Sequence, residues 1–311
     1  MPKNRREKVR VVLTGGHAGA TAYALIEELR ESKNVAWDIS WIGPSKAIEG
    51  KGVPTFEGVV FPKIGVRFIS ITAGRIQRKF SFWTIPSLIK IPLGFFHALA
   101  ILLRVRPRII LSFGGFAAYP VVIAGYLMHI PVILHEQTIT VGRANKFSAI
   151  FARKIALARK ESTEYFPKEK CVVVGNPVSK EILSVVSKKK IGIPPTIFVT
   201  GGSRGSEIIN ETIQNILPKL LAKYKIIHQT GINQFEKFKK LKEKLPQNIK
   251  DNYQIYGLIE PWNWYKLLNL ADVIVSRAGA NILSEIMIAK IPAILIPIPW
   301  AYGDEQMKNA L

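Results

Sequence analysis

The chain has 311 residues, 48% of them hydrophobic, enough for about two domains with ample cores, and this excludes intrinsic disorder. Lysine and arginine total 44 against 22 acidic residues, a formal net charge of +22, so the partners to expect are anionic: a membrane face, a nucleic acid or a phosphorylated substrate. The single cysteine, Cys171, excludes an intrachain disulfide and a cysteine zinc cluster and points to a reducing cytoplasmic compartment, and the four aspartates, Asp38, Asp251, Asp272 and Asp304, stand too far apart for an Asp-x-Asp divalent-metal site.

The amino terminus MPKNRREKVR runs into VVLTGG without the apolar stretch of a signal peptide. The greasiest segment, Ile91 to Leu103, is too short for the roughly 20 residues of a spanning helix. Short β-branched runs bounded by Gly or Pro alternate with longer helical stretches, which predicts an α/β fold with parallel sheets and crossover helices. Strands are predicted at 9–14, 37–42, 66–71, 107–113, 131–135 and 171–175. The lysine-rich stretch 178–195, ending in Pro194 and Pro195, reads as a linker. A second series follows at 196–200, 225–230, 253–257, 272–277 and 293–298. The expected architecture is two doubly wound, Rossmann-like domains, 1–180 and 190–311, with ligands at the carboxyl edges of their sheets and a cleft between them.

The predicted strand ends carry glycine loops. Thr14-Gly15-Gly16-His17 follows the first strand and opens a helix, where backbone N–H groups and the helix dipole favour an anion. Its spacing is neither a dinucleotide fingerprint nor a P-loop, and a tight turn is the plain alternative. His17 has the chemistry of a general base for an attacking hydroxyl, or of a capping residue. Gly201-Gly202-Ser203-Arg204-Gly205-Ser206 is the better diphosphate cradle, joining three glycines, two hydroxyls and a guanidinium at a helix start. Arg277 to Asn281 leads from a strand into a helix with Ser284 and Glu285. A carboxylate at Glu285 can accept two ribose hydroxyls, and an amide at Gln306 can orient a sugar. Gly114 to Pro120 and His135-Glu136-Gln137 close two strands of the first half, as functional groups or as satisfied structural ones. Between Arg75 and Leu88, Arg75, Arg78, Lys79, Phe80, Phe82, Trp83 and Ile85 combine cations with aromatic and aliphatic side chains, the composition of an interfacial membrane patch. Most of Leu93 to Leu103 reads as core helix.

The ordered set TGGH (14–17), GGFAAYP (114–120), HEQ (135–137), GNPV (175–178), GGSRGS (201–206), HQTG (228–231), RAGANILSE (277–285) and DEQMKNA (304–310) resembles the MurG family. Its members are peptidoglycan N-acetylglucosaminyltransferases of the GT-B glycosyltransferase fold. The resemblance runs from about Arg10 to Leu311. It implies transfer of N-acetylglucosamine from UDP-GlcNAc to the C4 hydroxyl of the muramoyl sugar of lipid I, giving lipid II, with inversion and with no metal or other cofactor. The implied setting is the cytoplasmic face of the plasma membrane, held peripherally on its anionic surface, with no nucleic acid as partner. The first domain would hold acceptor and membrane, the second the UDP-sugar.

Carried over by motif, Thr14, Gly15 and Gly16 approach the donor sugar and acceptor diphosphate, and His17 is the candidate base with Glu136 as its rival. Thr138 stands where the family has a donor-contacting Asn, and Ser179 where it has an Arg. Ser203 would hold the donor diphosphate and Ile259 would contact uracil. Gly279, Ala280, Asn281, Ile282, Leu283 and Ser284 would line the phosphate and ribose, Glu285 would bind the ribose and Gln306 the sugar. The family continues beyond the DEQMKNA helix, so the second domain is expected to be incomplete at its carboxyl end. Two other readings remain: a UDP-GlcNAc 2-epimerase on the same fold, which needs no lipid-facing patch, and a non-catalytic membrane-surface or nucleic-acid-binding protein governed by the charge.

Overall fold

A computed structural model describes residues 8–16, 18–48, 51–72, 84–186, 188 and 190–311. The chain divides into two compact units, Met1–Pro177 and Val178–Leu311.

The first unit contains β1 (Lys8–Thr14), α1 (Gly19–Glu31), β2 (Ala36–Gly43), a hairpin of β3 (Lys46–Ile48) and β4 (Lys51–Pro54), α2 (Phe56–Lys63), β5 (Arg67–Ser70) and α3 (Thr84–Val105). It continues with β6 (Ile109–Ser112), α4 (Tyr119–Leu127), β7 (Val132–Glu136), α5 (Arg143–Phe151), β8 (Lys154–Leu157) and β9 (Cys171–Val173). Seven strands form one parallel sheet in the order β5-β2-β1-β6-β7-β8-β9. Val11, Val12, Leu13 and Thr14 of β1 are all buried, as expected of a central parallel strand covered on both faces. The order reverses between β1 and β6, which places the ligand crevice of such a sheet outside their carboxyl ends.

The second unit opens with α6 (Lys180–Leu183) and runs through β10 (Thr196–Thr200), α7 (Glu207–Leu221), β11 (Lys225–Gln229), α8 (Phe235–Glu243), α9 (Gln247–Lys250) and β12 (Tyr253–Tyr256). It ends with α10 (Pro261–Leu270), β13 (Val273–Ser276), α11 (Ala280–Ala289), β14 (Ala293–Leu295) and α12 (Glu305–Ala310). Its parallel sheet runs β12-β11-β10-β13-β14, with the switch point between β10 and β13. Neighbouring β10 residues serve opposite faces: Phe198 packs with Leu267, Leu268 and Ile286, whereas Val199 packs with Ile209, Leu217 and Phe238.

Three expectations change. The strand β8 and the β3–β4 hairpin were not predicted; KIAL (154–157) is too short to carry a period, and its pairing with β7 and β9 is what makes it a strand. The stretch expected as a linker is attached to the second unit: Ile182 and Val185 enter its core, and Asp272 accepts from Lys188 Nζ (3.0 Å), Gly192 N (3.3 Å) and Thr196 N (2.7 Å). In α3, Ala98, Ile101, Leu102 and Val105 are buried, but Leu93, Phe96 and Leu103 are exposed, because helical spacing turns only one face to the sheet. No helix among the described residues is long and apolar enough to cross a membrane.

Candidate active site

In the first unit the carboxyl ends of β1, β6 and β7 bring three of the expected motifs together. Gly16 N donates to Gly114 O (3.1 Å), tying the first glycine turn to the Gly114–Pro120 loop. Gly114 has φ +80°, and a Cβ there would lie 2.0 Å from Asn145 Oδ1, so only glycine fits beside α5. His17 lies outside the described residues, as do Arg75, Arg78, Lys79, Phe80, Phe82 and Trp83; Ile85 falls within the backbone of α3.

Glu136, at the end of β7, is closed into its own loop. Its Oε1 accepts from Thr138 N (3.0 Å) and its Oε2 from Asn145 Nδ2 (2.6 Å). The Thr138 hydroxyl donates to Thr140 O (2.7 Å) and lies 2.9 Å from Glu136 Oε1. One hydroxyl carries one proton, which Thr140 O and Glu136 Oε1 therefore share. Burial, the leading cause, raises the Glu136 pKa against the hydrogen bonds that lower it. His135 Nε2 meets Gly175 O (3.2 Å), and burial lowers its pKa, so the neutral ring donates to that carbonyl. Among the described residues, Thr14 Oγ1, His135 Nδ1 and Asn145 Oδ1 are buried with no hydrogen-bond partner, three polar atoms at one sheet edge. Thr138 and Glu136 were expected; Asn145, the residue that connects Glu136 to the glycine loop, carried no sequence signal because its partner is nine positions away on another element.

In the second unit the GGSRGS loop is set by backbone contact. Gly205 (φ +74°) would place a Cβ 2.0 Å from Thr230 O, and Gly231 (φ +82°) would place one 2.2 Å from Arg204 O. The 204–205 and 230–231 backbones therefore interlock, and this is why the HQTG motif carries its glycine. Gly202 N donates to Thr200 Oγ1 (2.9 Å), Thr200 Oγ1 donates to Gln229 Oε1 (2.6 Å), and Ser206 caps α7 through Ile209 N (3.4 Å). Ser203 and Arg204 are left at the loop's rim, with Arg204 exposed.

Beneath the loop, His228 is fully buried between Tyr253 OH (2.9 Å to Nδ1) and Asn210 Oδ1 (3.0 Å to Nε2). Asn210 Nδ2 donates onward to Thr230 O (2.8 Å) and Gln234 Oε1 (2.8 Å). This orientation of Asn210 makes Nε2 the protonated nitrogen of a neutral His228, and burial drives its pKa down to about 4.

Beyond β13, Gly279 precedes α11 with no side-chain cap, and the first turn contains no acidic residue, so its N–H groups are suited to an anion. Ser284 Oγ donates to Ala280 O (2.9 Å), and Glu285, the next residue, is buried and accepts from Trp264 Nε1 (2.8 Å). Burial raises the Glu285 carboxyl to about 7, with the Trp264 bond opposing it. Arg277 Nη1 donates to Ile296 O (3.0 Å), and Gln306 Oε1 accepts from Ile298 N (3.0 Å), fastening α12 to the loop beyond β14. Ile259 is a core residue, its side chain packed in one cluster with Phe198 and Leu267. Ser179 is buried just before α6, in the second unit. No group of three or more His, Cys, Asp and Glu able to hold a metal occurs among the described residues.

Two parallel α/β sheets, each with a glycine loop beside its switch point and one with a buried carboxylate behind a helix start, define a nucleotide-sugar enzyme of the two-sheet type. The glycosyltransferase family 28 N-terminal domain matches residues 11–157, and the family's C-terminal domain matches residues 196–311. A UDP-N-acetylglucosamine–N-acetylmuramyl-(pentapeptide) pyrophosphoryl-undecaprenol N-acetylglucosamine transferase of Bacillus cereus is 32% identical over 97% of this chain and 83% of its own length. Among solved structures, MurG of Acinetobacter baumannii has TM-score 0.60 at 24% identity, covering 97% of this chain and 81% of that one. The UDP-GlcNAc 2-epimerase of Neisseria meningitidis, bound to UDP-GlcNAc, has the same TM-score at 13% identity, over 93% and 82%; this likeness is one of fold. The chain belongs to glycosyltransferase family 28 and, within it, to the MurG family.

Proposed function

We propose that this protein transfers N-acetylglucosamine from UDP-GlcNAc to the C4 hydroxyl of the muramoyl sugar of lipid I, forming lipid II. The observation that carries this reading is the second unit's sheet edge, where a glycine loop locked against Thr230 and Gly231 neighbours the uncapped start of α11, with Glu285 one turn inside. The loop's N–H groups, Ser203 and the α11 start would hold the UDP diphosphate and stabilise the charge that develops as it leaves. Glu285 would accept the ribose diol, the Ile259 backbone would meet uracil, and the Gln306 amide nitrogen would face the sugar. Family membership at 32% identity over nearly the whole chain favours the transferase over the epimerase, whose likeness rests on fold.

In the first unit, Thr14, Gly15 and Gly16 would approach the donor sugar and the acceptor diphosphate. Glu136 has both carboxyl oxygens engaged by Thr138 and Asn145, so it positions its loop and leaves the general base to His17. The acceptor's lipid carrier calls for a membrane face. Besides the cations and aromatics of the 75–85 sequence, α3, α4 and α5 expose Leu93, Phe96, Tyr126, Leu127, Phe147 and Ile150, which favours peripheral attachment of this unit to a membrane; the net charge of +22 suits an anionic leaflet, and a nucleotide-sugar donor suits its cytoplasmic side.

The test is UDP release with UDP-GlcNAc and a short-chain lipid I analogue in EDTA, comparing the wild type with His17→Ala and Glu285→Gln. Acceptor-dependent release that both substitutions suppress supports the reading. Release that proceeds without acceptor, or conversion of the donor to its 2-epimer, refutes it.

A further inference from the structure

Trp264 belongs to none of the motifs, yet it makes a side-chain bond to the buried carboxylate of the second unit. From α10 its indole Nε1 donates to Glu285 Oε2 on α11 at 2.8 Å. The ring is itself held in place, edge-on to Phe198 of β10 with centroids 5.1 Å apart and planes at 61°. An indole N–H can only donate, so this contact never competes for a ligand's hydroxyl protons; it takes one lone pair of Oε2 and leaves the rest of the carboxylate as acceptor. Glu285 is only 8% exposed, and among the described residues the Trp264 bond is the one hydrogen bond that acts on its proton affinity. The Trp264 bond is thus a fixed point for the orientation of this buried carboxyl.

Resting on the reading of Glu285 as the ribose acceptor, we propose that Trp264 is a positioning residue for nucleotide recognition. Its N–H holds the Glu285 carboxylate so that the remaining lone pairs meet the two vicinal ribose hydroxyls, and it thereby sets the preference for a ribonucleotide over its 2′-deoxy analogue. A vicinal diol presents two donors at a fixed separation, and a carboxylate accepts both only when its plane is aligned with them. A freely rotating carboxylate accepts one hydroxyl nearly as well, and so discriminates poorly.

The experiment measures calorimetric binding of UDP and 2′-deoxy-UDP to the full chain for the wild type, Trp264→Phe, Glu285→Gln and the double variant. Phenylalanine keeps an aromatic ring against Phe198 and removes the N–H. The expected result is that Trp264→Phe weakens UDP about tenfold, the usual scale for a hydrogen bond to a charged group, and weakens 2′-deoxy-UDP much less. In the Glu285→Gln background the same substitution should cost much less, since the group it positions has lost its charge and one of its two acceptor oxygens. Binding stoichiometry separates misfolded protein from weakened sites. Equal weakening of both nucleotides by Trp264→Phe would show a merely structural ring and overturn the proposal, as would wild-type UDP affinity in that variant while Glu285→Gln binds poorly. If Glu285→Gln itself binds both nucleotides like the wild type, the ribose reading falls and this inference with it.

Discussion

Glu285 should cost the protein stability in exchange for function, and Glu285→Gln measures both. Its carboxyl is raised from an ordinary 4.5 to about 7 by burial. At about 1.4 kcal/mol for each tenfold, holding the ionised form in this site costs about 3 kcal/mol relative to the unfolded chain. The sign follows from proton binding. Below pH 4.5 both states are protonated and there is no penalty. Between 4.5 and 7 the folded state holds the extra proton, so stability falls as pH rises. Above 7 the full penalty applies. Glutamine keeps the volume and can still accept from Trp264 without carrying charge. The variant should therefore unfold at a midpoint roughly 10 °C higher at pH 8, from the usual few degrees per kcal/mol for a unit of this size, and show little gain at pH 4.5. Thermal unfolding followed by circular dichroism at the two pH values is the assay. A midpoint difference independent of pH, or a loss at pH 8, would refute the account of Glu285 as a strained buried acid.

Three further outcomes are expected. Gly205→Ala drives a Cβ toward Thr230 O at a positive φ and should lower stability by more than about 2 kcal/mol and UDP affinity more than tenfold, as read by thermal unfolding and calorimetry. His228, held at about 4 from an ordinary 6.5, gives stability that is complete above pH 6.5 and lost as pH falls toward 4, up to about 3 kcal/mol; urea titrations at pH 4 and 7 should show this acid limb flattened in His228→Gln. Asn145→Ala removes the donor to Glu136 Oε2 and should cost about 1–3 kcal/mol while lowering acceptor-dependent turnover more than UDP affinity, because Asn145 belongs to the first unit; a larger change in UDP Kd than in kcat would contradict that placement.

The sequence alone determined the α/β class, most of the strands and the three glycine loops. These are local signals: β-branched runs bounded by Gly or Pro, and glycines where the chain must turn from strand to helix. It also brought out Glu285 and Glu136 as chemistry-bearing residues, though not their state. The reason is that protonation and orientation depend on neighbours distant in the chain. Burial and Trp264, 21 positions away, govern Glu285, whereas Asn145 and Thr138 close Glu136. The strand β8 had no period to read and exists through its pairing with β7 and β9. The stretch 178–195 looked like a linker because of its lysine run and the closing Pro194-Pro195, but the buried Asp272, which lies some 80 positions further on, fixes it to the second unit. HQTG could be seen as a motif in the sequence. Its purpose emerged only from the fold, where the Gly231 backbone meets Arg204 and His228 holds Asn210 beneath the loop. Periodicity and turn chemistry are written locally along the chain; proton affinity, close backbone approach and the partners of buried polar groups are decided by the packing that folding creates.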